Sequence, residues 1–396
     1  MIPFGDAEIK DRIRALQTYL TGSEIDLAIL SQNSDIYYYC GSMQPLYLVV
    51  PAAGESFAVA RKATTRITAD APYLPIESFT SGKDLAAIFA RRNLTGARRI
   101  GLTLDRLSYV STNRLAKLFA DAELTDIAWN VRMLRAVKSE SELAIQKRAG
   151  EIMAKVPDII RAALEPGVTE LELSALLESY FRLNGHGVVV GSRREGVDAI
   201  AFGVCSSGAN SLAGTKFEGI CGGVGLSPGT PYGASRDAIA AGTPIILDFA
   251  FNLDGYIIDQ TRMASIGKPS DHVLAAYDTM AQIEDELAAM LVPGTAWEDI
   301  YYRAVELARK GGYAETFMGL APEKVAFVGH GVGLELDEPP YLAPDMEFKL
   351  EVGMVVAVEP KVALPGVGVV GIEDTYVVRK DAAERITNAD RSIIAV

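Results

Sequence analysis

Apolar positions in the first third of the chain alternate between two periods. Ile9, Ile13, Leu16 and Leu20 recur at the spacing of one helix face. Leu27–Leu30 is a short continuous apolar run that predicts a buried strand, and Tyr47–Val50 and Phe57–Ala60 predict two more. A helix over Leu85–Ala90, a strand over Ile100–Leu102 and a helix over Leu115–Ala120 continue the alternation. Elements in this order predict a small α/β domain. Near Lys138 the pattern changes. Ser139-Glu140-Ser141-Glu142 places a hydroxyl three residues before a Glu, the capping-box spacing, ahead of a long helical stretch. The expected domains are 1–138 and 139–396, with no Gly/Ser linker between them.

The second domain repeats itself at an offset of 127 residues. Met153-Ala154-Lys155-Val156-Pro157-Asp158 recurs as Met280-Ala281-Gln282-Ile283-Glu284-Asp285, Leu164-Glu165-Pro166-Gly167 as Leu291-Val292-Pro293-Gly294, and Gly185 as Gly312. Each copy reads as helix, Pro-Gly turn, helix. The period is far too long for a solenoid and predicts one domain of two similar halves. A site between such halves is a natural place for a pocket.

Composition narrows the function. The 396 residues are 49% hydrophobic and 22% charged, an ordinary globular balance with enough apolar material for a large core. The formal charge of −13 argues against nucleic acid or an anionic membrane as partner. No apolar run approaches the ~18 residues of a membrane helix, and the first residues lack the pattern of a signal peptide. Three cysteines, none in a CxxC pair, fit a reducing cytoplasm. Gly222-Gly223-Val224-Gly225 lacks the strand–turn–helix setting of a phosphate loop, and Ser206-Ser207 has no partnering His beyond a candidate metal ligand, so a serine hydrolase is not expected.

The chemistry concentrates in the second domain. Asp248 lies in the apolar run Ile245–Phe249, and Asp259 follows eleven residues later, after Gly255. A hairpin at Gly255 would put both carboxylates on facing strands. His330 lies in Gly329-His330-Gly331-Val332-Gly333, Glu359 in Val355–Pro360 and Glu373 in Val370–Thr375. Burying unpaired carboxylates costs several kcal/mol apiece, roughly, and Arg262 alone cannot neutralise four. Two divalent cations would. Oxygen-rich ligation with one imidazole suits Mn²⁺, Co²⁺, Fe²⁺ or Zn²⁺. Two such ions about 3.5–4 Å apart can share one water, lower its pKa and polarise a carbonyl, and amide hydrolysis is the simplest chemistry this supports. Of the other histidines, His186 follows Gly185 at a helix end and reads as a cap or surface residue. His272 reads as solvent-facing in the first turn of a helix.

The order Asp–(10 residues)–Asp-x-Thr-Arg, Gly-His-Gly-x-Gly-Leu-Glu, Glu-Pro, Ile-Glu-Asp-Thr resembles the M24 pita-bread metallopeptidases, which include Xaa-Pro dipeptidases, aminopeptidase P and methionine aminopeptidase. The first domain, through Ser34-Asp35-Ile36-Tyr37-Tyr38 and Met133–Ser139, is similar to the creatinase-type N-terminal domain of prolidases. The resemblance implies an α/β N-terminal creatinase-like domain and an α+β pita-bread catalytic domain with an internal pseudo-two-fold repeat. It further implies metal ligands Asp248, Asp259, His330, Glu359 and Glu373, two divalent metal ions, and a homodimer acting on small peptides. Asp259 and Glu373 would bridge the metals, Glu359 would also take a proton from the bridging water, and Thr261 would support the ligands.

The chain departs from that family at four positions. Asp337 stands where a second His is expected, and Pro231, beside Tyr232, where another is. Gly371 replaces an Arg two residues before the last Glu, and Lys361 follows Glu359-Pro360 where Gly is frequent. We expect Asp337 and Tyr232 to contact substrate, selecting an amine or other cation, and Lys361 to restore part of the charge lost at Gly371. The bland alternatives are a surface acid before Pro339-Pro340 and loop packing for Tyr232. The leading reading is a dinuclear-metal hydrolase of short peptides, notably Xaa-Pro dipeptides. A non-peptidase hydrolase or lyase on the same scaffold and a binding module that has lost catalysis remain as alternatives.

Overall fold

The computed structural model describes residues 4–193, 203–216 and 219–396. Two compact units divide it, Met1–Arg135 and Ala136–Val396.

The first unit is an α/β layer around a six-stranded mixed sheet. In spatial order its strands are Ile76–Ser78, Phe57–Ala60, Tyr47–Pro51, Leu27–Leu30, Arg99–Leu102 and Glu123–Asp126. Leu27–Leu30 runs antiparallel to Tyr47–Pro51 and parallel to Arg99–Leu102. Its continuous apolar sequence matches burial on both faces. The helix Asp6–Gly22 buries Ile9, Leu16 and Leu20, the predicted face. Gly82–Arg91 and Tyr109–Leu118 enclose the other predicted helical segments, the latter ending before Phe119 and Ala120. The polar-aromatic helix Asn33–Cys40 has no clear apolar period, and a buried ion pair ties it down. Arg135 Nη1 lies 2.6 Å from Asp35 Oδ1 with both side chains almost fully enclosed, joining the two segments on which the N-terminal resemblance rests.

In the second unit the capping box at Ser139 forms as predicted. Ser139 accepts from the Glu142 backbone, Glu142 caps Ser139 in return, and the helix Glu140–Met153 follows. The helices Glu170–Leu183 and Trp297–Lys310 have identical lengths and the 127-residue offset of the sequence echo. The turns agree too: Gly167 and Gly294 have φ of +96° and +93°, and Gly185 and Gly312 +97° and +87°. These are conformations that glycine adopts without strain. The copies differ where Pro157 stands against Glu284. Pro157 begins a separate short helix, Val156–Ala163, because it cannot donate to a continuing ladder, whereas Asp271–Met290 runs unbroken through Glu284.

Two sheets carry the chemistry. One has the order Ile394–Ala395, Tyr256–Ser265, Ile245–Leu253, Gly203–Ser207. The other has the order Glu338–Tyr341, Gly329–Gly331, Val355–Val358, Asp374–Val378, Ala383–Arg385. A separate hairpin, Lys361–Leu364 with Gly368–Gly371, lies between the last two ligand-bearing segments in sequence. The predicted Gly255 hairpin is present. Asp254 and Gly255, at φ +50° and +93°, form its two-residue turn.

Arg262 fixes the first sheet to the Glu373 segment. It is fully buried, and its guanidinium donates to Asp374 Oδ1 at 2.6 Å and to the carbonyls of Thr261, Glu373, Ala389 and Asp390. Removing a buried charge partner costs about 3 kcal/mol. Arg262→Met is expected to lower the stability of the second unit by roughly that much. The measurement is a urea midpoint followed by Trp297 fluorescence in a Trp129→Phe background. An unshifted midpoint would contradict the bracing role.

Candidate metal centre

The hairpin register positions the first two acids. Asp248 pairs with Thr261, and Asp259 pairs with Ala250, so Asp248, Thr261 and Asp259 share one face. Arg262 points to the opposite face, away from the acids it was weighed against. Thr375 Oγ1 donates to the Asp259 carbonyl at 2.7 Å and accepts from its amide at 3.1 Å, which holds that strand against the second sheet. His330 enters from Gly329–Gly331, paired with Ala357. Glu359 follows the strand Val355–Val358, and Glu373 precedes Asp374–Val378 and bridges to Thr261.

All five predicted ligands thus converge. Among the described residues, Asp259, His330 and Glu373 offer ligand atoms within 4.8 Å of one another, all buried. Thr261 Oγ1 donates to Glu373 Oε2 at 2.8 Å, while Glu373 Oε1 is buried with no hydrogen-bond partner among the described residues. His330 Nε2 lies 3.4 Å from Glu359 Oε1. Its Nδ1 faces the Gly331 carbonyl at 3.2 Å and Asp337 Oδ1 at 3.6 Å. A carboxylate on the outer nitrogen of a ligating imidazole orients its ring and raises its basicity.

Lys361 is the residue whose place the sequence hinted at without locating. Its ammonium sits inside the cluster, donating to Glu359 Oε2 at 2.6 Å, Glu373 Oε2 at 2.9 Å and Asp248 Oδ2 at 3.0 Å. The register pairs Lys361 with Gly371. A Cβ at 371 would come within 2.4 Å of Lys361 Cγ, so Gly371 makes the room that the lysine stem fills. Asp248 Oδ2 also accepts from Cys221 Sγ at 2.9 Å. That thiol was not foreseen, and nothing in its local sequence marks it.

Charge sets the protonation of the cluster. Burial pushes the Asp259 carboxyl well up, and neighbouring Glu373 and Asp248 push it further. Burial raises Glu373 to about 7 despite Lys361. Glu359 goes the other way: burial opposes its charge, but Lys361 and His330 together hold it at about 2. Burial also disfavours the charge of Lys361, yet the surrounding carboxylates outweigh it and the ammonium persists. His330 is likewise held well above its ordinary value, since Asp337, Glu359 and Asp259 overcome its burial. Burial and the adjacent Cys221 and acids keep the Tyr232 phenol neutral. Tyr232 thus lies within the field of Cys221, Asp248, Asp259 and Lys361. His186 keeps its expected cap place, its amide donating to the Phe181 carbonyl at 3.0 Å at the end of the helix Glu170–Leu183, but its ring is not at the surface. It is buried beside Phe181 and Phe251, and Nδ1 accepts from the Asn252 amide, because the turn after Leu183 folds it under the aromatic layer. His272 is exposed.

The donor set fits a divalent cation. The clustered donors of Asp259, His330 and Glu373 match the oxygen-rich, single-imidazole ligation of Mn²⁺, Co²⁺, Fe²⁺ or Zn²⁺, and Glu373 carries a buried oxygen with no partner among the described residues.

Family and structural comparisons agree with this geometry. Residues 144–380 match the model of metallopeptidase family M24, and residues 12–137 match the creatinase/prolidase N-terminal domain. The chain belongs to metallopeptidase family M24. Among its relatives is a Xaa-Pro dipeptidase of Pyrococcus horikoshii, 24% identical, covering 98% of this chain and 99% of the relative. A solved Xaa-Pro dipeptidase from Bacillus anthracis superposes with a TM-score of 0.83 at 25% identity over 98% of this chain and 100% of the other. An X-Pro aminopeptidase from Thermotoga maritima shares the fold, with a TM-score of 0.80 at 23% identity over 97% and 99% of the two chains. The creatinase-like plus pita-bread architecture is therefore that of the family.

Protons and metal compete for these donors. Raised carboxyl values at Asp259 and Glu373, and a raised imidazole value at His330, mean that the metal-free cluster carries protons that a cation displaces. Mn²⁺ affinity is expected to rise between about pH 6 and pH 8, with net proton release that shrinks as pH rises. Titration calorimetry in buffers of different ionisation heat reads both quantities. The same signs make the metal-free chain lose stability as pH climbs from the ordinary carboxyl range towards 7, where Glu373 ionises against its burial.

Proposed function

We propose that this chain is a divalent-metal-dependent hydrolase of short peptides, with dipeptides carrying proline in second position as the preferred substrates. The observation that carries the reading is the convergence of Asp248, Asp259, His330, Glu359 and Glu373, from separate strands and turns, on one buried cluster in a chain of family M24. Similarity to Xaa-Pro dipeptidases over nearly the full chain supports the choice of substrate.

When bound, a divalent ion supplies Lewis acidity and lowers the pKa of a water ligand. The chain's own groups do the rest. Glu359 stays ionised and able to accept a proton. Lys361, at 2.6 Å, makes it a weak base and stabilises the charge it starts with. Thr261 fixes one oxygen of Glu373 and leaves the other for ligation. Asp337 holds His330 with Nε2 turned towards Glu359. A carboxylate such as Asp337 cannot stabilise a developing oxyanion unless protonated, but it attracts the α-amine of a dipeptide. Tyr232, kept neutral, is the phenolic donor for the substrate carbonyl.

A panel of Xaa-Pro and Xaa-Ala dipeptides with Mn²⁺, Co²⁺ or Zn²⁺ tests the reading. Xaa-Pro turnover that a chelator abolishes is expected. Metal binding without hydrolysis of any peptide would instead favour a non-peptidase hydrolase or lyase. The replacement of two imidazoles by Asp337 and Pro231 is the feature that keeps that second reading in view. Asp337→Asn is expected to lower kcat/KM for substrates with a free amine by about 10–100-fold relative to N-acetylated ones, the value of a hydrogen bond to a charged group. Asp337→His should shift preference in the same direction. An unchanged preference would remove Asp337 from amine recognition.

A further inference from the structure

The resemblance implies two divalent ions, but the acid cluster already contains a cation. Lys361 Nζ lies within 3.0 Å of an oxygen from each of Asp248, Glu359 and Glu373, and its side chain is 1% exposed. An ion ligated by those same oxygens, at about 2.0–2.2 Å from each, would be pressed against the ammonium. The lysine is not placed by a mobile stem. Its strand is paired with Gly368–Gly371, and its Cα, Cβ and Cγ fill the space above Gly371. The expected pattern has Gly after Glu-Pro and Arg two residues before the last Glu. Here the glycine and the cation have exchanged strands.

The donors left over are specific. Glu373 Oε1 has no hydrogen-bond partner among the described residues, and Glu373 belongs, with Asp259 and His330, to the described trio whose ligand atoms cluster within 4.8 Å. Asp248 is turned to other partners, since its Oδ2 accepts from both Lys361 and Cys221.

We propose that the Lys361 ammonium is a built-in second cation, so that the centre takes one divalent ion, on Asp259, His330 and Glu373, while Lys361 holds Asp248 and Glu359. This rests on the metal-dependent reading above and changes its stoichiometry. Four carboxylates then face one divalent and one monovalent cation, and the residual negative charge suits a substrate amine. Lys361 becomes a positioning residue that keeps Glu359 and Glu373 oriented in place of a second ion.

The test is metal content of the full chain. Protein purified without chelator, then equilibrated with Mn²⁺ alone, is assayed by elemental analysis and by electron paramagnetic resonance. One ion per chain with the six-line spectrum of isolated Mn²⁺ is expected. Two ions per chain with an exchange-coupled spectrum would overturn the proposal and leave the metallohydrolase reading intact. No bound ion would overturn both.

Two variants sharpen the result. Lys361→Met frees three carboxylate oxygens and is expected to raise the content from one ion to two. Asp248→Asn is expected to keep one ion with affinity within a few-fold of wild type, because Asp248 serves the lysine. Loss of the ion in Asp248→Asn, in protein whose circular dichroism is unchanged, would make Asp248 a ligand and defeat the assignment.

Discussion

Four carboxylates around one point, three of them buried, are the constraint on which the second unit depends. Asp248, Asp259, Glu359 and Glu373 repel one another, and burial deprives them of the water that would screen them. The fold answers with positive charge from inside the chain, through Lys361 and the imidazole of His330. It also divides the labour among the acids. Glu359 is pinned in its ionised form, whereas Asp259 and Glu373 hold protons until a cation displaces them. The same array therefore favours a partly protonated condition when no other cation sits among the acids. Arg262, on the far side of the strand, ties down the Glu373 backbone and Asp374 without touching the carboxylates of the four.

Much of this was legible in the sequence where local physics decides the outcome. The Asp254-Gly255 turn had the residues a two-residue hairpin requires, and it fixed the relation of Asp248 to Asp259. Ser139 and Glu142 marked the start of a helix by their spacing alone. The 127-residue echo survives as two helices of equal length and two pairs of left-handed glycines. These signals depend on a few neighbouring residues, so they can be read without knowing what packs against them.

What escaped is tertiary. Asn33–Cys40 is helical although its sequence has no clear period, because the buried Asp35–Arg135 pair spans a hundred residues of sequence. His186 read as a cap or surface residue, and it is a cap whose ring the aromatic layer of Phe181 and Phe251 covers. Lys361 was suspected of compensating for Gly371, and strand pairing explains why. The two residues face each other across a hairpin, so the bulk missing from one is the room occupied by the other. Neither the direction of the lysine nor the donation from Cys221 to Asp248 has any local signature.

The glycine opposite the lysine also bears on how such a centre arises. A side chain at 371 collides with the stem at 361, while glycine at both positions strips the acids of their resident charge. Neither single replacement is harmless, so the two sites form an epistatic pair. A lineage passing between the two arrangements must cross a crowded intermediate or a bare one, and only the bare one can be rescued by an external ion.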